Sequence, residues 1–286
     1  MYYGAFGYAD DVSLVAPSIF ALRRMCDIAL DYASEYDIKF NPLKCQLINY
    51  SDNTNVLFNF DGVVLKAESK GTHLGHIIGP NVCSGVMQDA SYTLIRSVNS
   101  VLHNFIHCSY HVKYQLFKSY CTSFYGCPLW DVTGNNISRL YISWRKSIRR
   151  LFDLPYRTHC NLLPVIAECH PIECQLLCRI SKFICTSLSS QNMYLSLLMN
   201  LVTRGSRSAI SKTFNHMLSK CRLTKNIFYS EKSYNICRQR IVNSFSADKE
   251  VLYKGAFAQS ILYERENPQL LSKVELGDIL NVICTE

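Results

Sequence analysis

Gly4-Ala5-Phe6-Gly7-Tyr8-Ala9-Asp10-Asp11-Val12-Ser13-Leu14-Val15 is the stretch from which the fold is argued. Two β-favouring runs, residues 2–8 and 12–15, flank a tight turn with two adjacent carboxylates. Side chains alternate along a strand, so Asp10 and Asp11 cannot both point the same way. One is expected to reach towards a divalent cation while the other supports it, because crowded acids are costly unless a cation neutralises them. The same residues also fit an ordinary polar hairpin turn, since Asp is a common turn residue.

Further along lie Phe40-Asn41-Pro42-Leu43-Lys44-Cys45 and His73-Leu74-Gly75-His76-Ile77-Ile78-Gly79. Beyond them come Tyr125-Gly126-Cys127-Pro128-Leu129-Trp130 and Arg149-Arg150-Leu151-Phe152-Asp153-Leu154-Pro155-Tyr156-Arg157-Thr158-His159. Tyr8-Ala9-Asp10-Asp11 between apolar strands resembles the active-site hairpin of reverse transcriptases. The next two segments resemble the following motifs of that family in order, and the last two are similar to segments beyond the polymerase core of non-LTR (LINE-type) retrotransposon proteins. The resemblance covers most of residues 1–190.

That resemblance implies an α+β fold. A partial polymerase palm, an antiparallel sheet with a packed helix, is expected over residues 1–82. A helical thumb-like region is expected over 83–157, and a basic helical C-terminal extension over 158–286. It also implies RNA-directed DNA polymerase chemistry with Mg2+ held by Asp10 and Asp11, and an RNA template, a DNA primer and dNTP as partners. Lys44 would approach the phosphates of the incoming nucleotide and protonate the leaving pyrophosphate, which gains charge as its bond breaks. Leu74 and Gly75 would belong to the primer grip. Two metals about 3.5–4 Å apart need carboxylates from more than one strand. Enzymes of this family use a further aspartate well upstream of the hairpin. Only seven residues precede Tyr8 here and none is acidic. The expectation is therefore an N-terminally truncated enzyme, without fingers and inactive alone, or else a non-catalytic nucleic-acid-binding remnant.

Bulk properties agree with a folded chain. Its 286 residues suit one large or two ordinary domains, and 48% hydrophobic content with 12% aromatics excludes a disordered one. No apolar run approaches the ~20 residues of a membrane span, and no secretory signal opens the sequence. An intracellular protein of the nucleus or cytoplasm, neither secreted nor membrane-bound, is expected. Fourteen cysteines without CxxC pairs predict reduced thiols, several filling the core. Residues 1–90 carry 6 Lys/Arg against 10 Asp/Glu, a balance of −4, whereas residues 91–286 carry 24 against 12, a balance of +12. An acidic part followed by a basic one suits a protein that grips nucleic acid, and an ordinary basic surface has the same balance.

Local patterns place the elements. Ser18 is a helix cap, and Leu22, Cys26, Ala29, Ala33 and Tyr36 follow at helical spacing until Asn41-Pro42 stops the pattern. A strand is expected at residues 46–50, a hairpin at 56–66 about Asp61-Gly62, and a single strand at 72–78 in which Gly75 admits close backbone approach. Met87, Leu94, Val98, Val101 and Phe105 predict one helical stripe, and Phe117, Cys121 and Phe124 another. His103, His107 and His111 lack a completing ligand, and a break is expected near Ser109. Residues 136–152 predict a helix with Ile137, Leu140, Trp144, Ile148 and Leu151 inside. Arg139, Arg145, Lys146, Arg149 and Arg150 would lie together outside it, as a phosphate-binding face or merely a solvated one. Cys174 and Cys178 are expected on the buried face of a helix running towards Leu188, and the spacing of Cys169, His170, Cys174 and Cys178 fits no zinc finger. Between Arg179 and Arg240 stand 11 Lys/Arg and Glu231 as the sole acid.

Overall fold

A computed structural model of the chain describes residues 4–50, 56–80, 83–230 and 233–247. Tyr2, Glu231 and the stretch from residue 248 to the C-terminus lie outside these. The fold is mixed α+β, rich in helix with small sheets, and divides into two compact units, residues 1–82 and 83–286.

In the first unit β1 (Ala5–Tyr8) and β2 (Asp11–Leu14) form an antiparallel hairpin. Tyr8 pairs with Asp11, so the turn is Ala9–Asp10, with Ala9 at φ +52°. Helix α1 (Ile19–Glu35) begins where the Ser18 hydroxyl accepts the Ala21 amide at 3.2 Å. It buries Cys26 and Ala33, while Tyr36, expected on that apolar face, lies past the last turn and is exposed. The helix stops earlier than Asn41-Pro42. Asp37 turns left-handed at φ +53° and the Ile38 amide closes on Ala33 at 2.8 Å. Asn41 instead caps a separate 3-10 turn, Pro42–Lys44, by accepting the Leu43 amide at 3.1 Å.

Strands β4 (Leu57–Phe60) and β5 (Val63–Glu68) pair about Asp61 (φ +48°) and Gly62 (φ +76°), the two positive φ angles of a type I′ turn. Their neighbour β3 (Leu47–Ile48) runs parallel to β5, giving the order β3-β5-β4. The expected single strand at 72–78 is instead a second tight hairpin. Its strands are β6 (Gly71–His73) and β7 (His76–Ile78), with Leu74 (φ +47°) and Gly75 (φ +74°) as the turn. Close approach belongs to Gly71, where a Cβ would stand 2.6 Å from Ile48 Cδ1 and 2.7 Å from Gln46 Oε1. Among the described residues the unit thus holds three small sheets, one with a parallel pair, rather than one antiparallel sheet. Cys26 of α1 packs with Phe58 and Phe60 of β4, and Leu14, Leu22, Phe40 and Leu65 close round them. Phe40 meets Phe60 edge-on at 5.8 Å.

The second unit is helical. Helix α2 (Cys83–Asn104) buries Met87, Leu94, Val98 and Val101, and Phe105 falls beyond its end, partly exposed. Ser109 caps α3 (Tyr110–Leu116), which runs on into a π turn, Phe117–Cys121. Then come α4 (Ile137–Leu151), the short α5 (Leu163–Ile166), α6 (Ile172–Leu188), α7 (Met193–Arg204), α8 (Ala209–Lys220) and α9 (Ser233–Ala247). The five apolar positions expected inside α4 are all buried, and Cys174 is buried within α6. One apolar cluster runs from Met87 of α2 to Ile241 of α9, so α6 to α9 share a core with α2 and α4. Arg179 of α6 donates from Nη1 to the Thr122 and Ser123 carbonyls at 2.6 Å each and lies over the Phe124 ring. Thr213 of α8 holds the segment after Trp130, donating to the Trp130 carbonyl at 2.8 Å and accepting from the Val132 amide at 3.1 Å. Many cysteines are buried, among them Cys26, Cys121, Cys127, Cys185, Cys221 and Cys237, and these carry thiols rather than disulfides. No helix among the described residues is long and apolar enough to cross a membrane.

Candidate functional site

The first candidate lies in the β1–β2 hairpin. Asp10 occupies the turn and Asp11 opens the return strand, both exposed. Alternation puts Asp11 on the same face of β2 as Ser13 and puts Leu14 on the other, towards the core. The Ser13 hydroxyl lies 3.3 Å from His73 Nδ1, which ties β2 to β6. The Gln46 side chain accepts the Thr72 amide at 3.0 Å and ties the lead into β3 to the same hairpin. His73 is therefore a structural partner of the carboxylate hairpin. Leu74 and Gly75 form a turn tip, and Lys44 ends the Pro42–Lys44 turn with its side chain exposed. Around the carboxylates Phe6, Tyr8, Val12, Val15 and Phe20 leave an apolar surface in the open.

Whether these residues suffice for a metal is a question of donor count. Among the described residues no group of three or more His, Cys, Asp or Glu side chains is placed to hold a metal ion. Asp10 and Asp11 are two carboxylates on one hairpin, and two-metal chemistry needs acids from a second strand. The described donor set is incomplete for Mg2+.

The second candidate is in the helical unit, where the five cations of α4 separate into two groups. Arg139, Lys146 and Arg150 follow one stripe, at spacings of seven and four residues. Arg139 Nη1 donates to Gln88 Oε1 of α2 at 3.3 Å, and Arg150 Nη1 donates to Asn99 Oδ1 of α2 at 2.6 Å. Each contact joins residues 51 apart in sequence, so α2 and α4 lie side by side and parallel. At the Gln88–Arg139 contact a groove of about 230 Å³ is lined by Gln88, Ser91, Tyr92, Ile95, Arg139, Ile142 and Ser143. Gln88 Nε2 donates to the Tyr92 hydroxyl at 3.0 Å, and the Tyr92 side chain is 56% exposed.

Arg145 and Arg149 take the other flank. Arg149 donates from Nε and Nη2 to the Thr158 carbonyl, at 3.2 and 2.7 Å, pinning the loop after α4. Burial pushes the Tyr141 phenol up, Glu173 of α6 adds to the rise and Arg145, one turn further along α4, opposes it. The single basic face expected from the sequence is therefore two, and Arg149 serves the fold. Arg149→Ala is expected to cost about 1.5–3 kcal/mol of stability through two lost charge-assisted bonds. Lysine at 149 should recover little of this, because it lacks the fork. Thermal unfolding of both variants checks the loss, and an unchanged midpoint would return Arg149 to the solvated set.

Gln88 and Asn99 escape a sequence reading because their partners on α4 are 51 residues away, and Tyr92 because its role depends on the groove those contacts frame. The available signal was the spacing of Gln88, Tyr92, Ile95 and Asn99 along one stripe of α2.

No protein-family model matches this chain, and neither a curated protein nor a solved structure matches it.

Proposed function

We propose that this chain is part of an RNA-directed DNA polymerase of the non-LTR retrotransposon kind. The region around the Asp10 hairpin stands for part of the palm, and the helices from α2 onward stand for the thumb and its extension. One observation carries the reading. Tyr8-Ala9-Asp10-Asp11 turns in two residues, with Asp10 at the tip and Asp11 first on the return strand.

In this reading Asp10 and Asp11 hold Mg2+ in the intact enzyme together with acids beyond the described set. The ion would supply charge stabilisation to the transferring phosphoryl group. Lys44 assists departure of pyrophosphate, and the Leu74–Gly75 turn borders the primer end. Because the described donors fall short of a metal site, the part assigned to the 286-residue chain by itself is holding RNA and DNA, not joining nucleotides. A second reading, a non-catalytic nucleic-acid-binding protein derived from that enzyme, draws on the cations of α4.

Binding and extension are measured on one RNA template with an annealed DNA primer, Mg2+ and dNTPs. The purified chain is expected to bind the primed template at low salt and to add no nucleotide. Absence of binding would overturn the assignment. Extension that Asp10→Asn abolishes would show that another acid of the chain completes the site, and would overturn the restriction to binding.

A further inference from the structure

We infer that the groove between α2 and α4 binds single-stranded nucleic acid, one base stacking on Tyr92 while flanking phosphates meet Arg139, Arg96, Lys146 and Arg150. The inference rests on the nucleic-acid part of the reading above and gives it a site and a substrate form.

Length comes first. The contacts from Gln88 to Arg139 and from Asn99 to Arg150 are 11 residues apart on both helices, which is about 16.5 Å at 1.5 Å per residue. Exposed cations stand along that length. Arg96 follows Tyr92 by one helical turn on α2, and Lys146 lies between Arg139 and Arg150 on α4. Helix α4 carries no acid, and Asp89 is the sole acid of α2.

The way the end cations are held matters more than their number. Gln88 and Asn99 are neutral amides, so they fix two guanidiniums without cancelling their charge. A guanidinium has five donors, and each amide oxygen takes one. Fixed donors that keep their charge lose less freedom on meeting a phosphate than free lysines do.

The groove beside the Gln88–Arg139 contact is apolar and small. Tyr92, Ile95 and Ile142 line it, and its roughly 230 Å³ falls below the ~300–1,000 Å³ of pockets that enclose whole small ligands. It suits one flat group. The bond from Gln88 to the Tyr92 hydroxyl holds the ring beside the groove, and an exposed ring between cations is how single strands are gripped irrespective of sequence. A duplex keeps its bases stacked inside and would use the cations while leaving the ring idle.

The full chain is titrated by fluorescence anisotropy with a short labelled oligouridine and with an RNA–DNA duplex of equal length. Tyr92→Ala should weaken the single strand about 5- to 150-fold, the range for one stacked base, and leave the duplex unchanged. Tyr92→Phe should keep most of the single-strand affinity, since the stacking ring remains and only the bond from Gln88 is lost. Arg96→Ala and Lys146→Ala should each flatten the log–log salt slope for the single strand by about 0.7. Tyr92 and these cations are exposed, so the variants retain the core. An unchanged single-strand affinity in Tyr92→Ala, or an equal loss on the duplex, overturns the inference. Wild-type binding to duplex alone overturns it too, and leaves the broader assignment standing. Binding to neither form overturns both.

Discussion

Phe58→Ala is expected to unfold residues 4–80 while the helices from α2 onward stay folded. The first unit rests on a cluster whose buried members, among the described residues, are Cys26, Phe58 and Phe60, and Phe58 is 2% exposed. Truncating a buried Phe costs about 3–5 kcal/mol. A unit this small buries a modest share of its surface, and even ordinary domains have only about 5–15 kcal/mol in hand. None of the three contributes to the helical cluster. Hydrogen exchange followed by mass spectrometry separates the outcomes. Peptides from β4, β5 and α1 should lose protection, and peptides from α6 should keep theirs. Retained protection in β4 would mean that the partly buried Leu14, Leu22 and Leu65 sustain the fold without the ring.

Ile148→Ala should act differently on a larger core. Ile148 is fully buried on the face of α4 that packs against the helical cluster. Removing most of its side chain should cost about 2–5 kcal/mol, the spread depending on how far the cavity collapses. With a urea dependence of roughly 1–3 kcal/mol per molar, the unfolding midpoint should fall by on the order of 1 M. The unit should remain folded in water, because its cluster extends from α2 to α9. A midpoint that does not move would show that α4 is not part of the cooperative core.

What could be read from the chain alone follows the range of the forces involved. The inner face of α4 was legible because a period of 3.6 is local, and Ile137, Leu140, Trp144, Ile148 and Leu151 are buried accordingly. Asp61-Gly62 and Ser18 were legible because a positive φ and a free helical amide each demand particular residues.

The Leu74–Gly75 turn was missed because β-favouring residues stand on both sides and leucine is no turn former. Gly75 was credited with the close approach that belongs to Gly71, since the Ile48 and Gln46 side chains reach it from another strand. The parallel pairing of β3 with β5 has no short-range signature. The division of the α4 cations was open to helix geometry, but their amide partners on α2 were not. The Asp10–Asp11 hairpin was found by its residues, and its two-residue turn was narrower than the residues alone required.

The π turn that ends α3 has an exit that local sequence does not cap. The carbonyls that follow it, those of Thr122 and Ser123, are capped by a side chain 56 or 57 residues further along. Closing so long a loop is opposed by chain entropy, and nothing local takes the guanidinium's place. The backbone bonds of α2, α3 and α4 are local, but the carbonyls after the π turn receive this cap only where α6 packs and brings Arg179 to them. The end of α3 is thus completed by tertiary structure, through a single planar cation, as the packing of α4 on α2 is completed by Arg139 and Arg150.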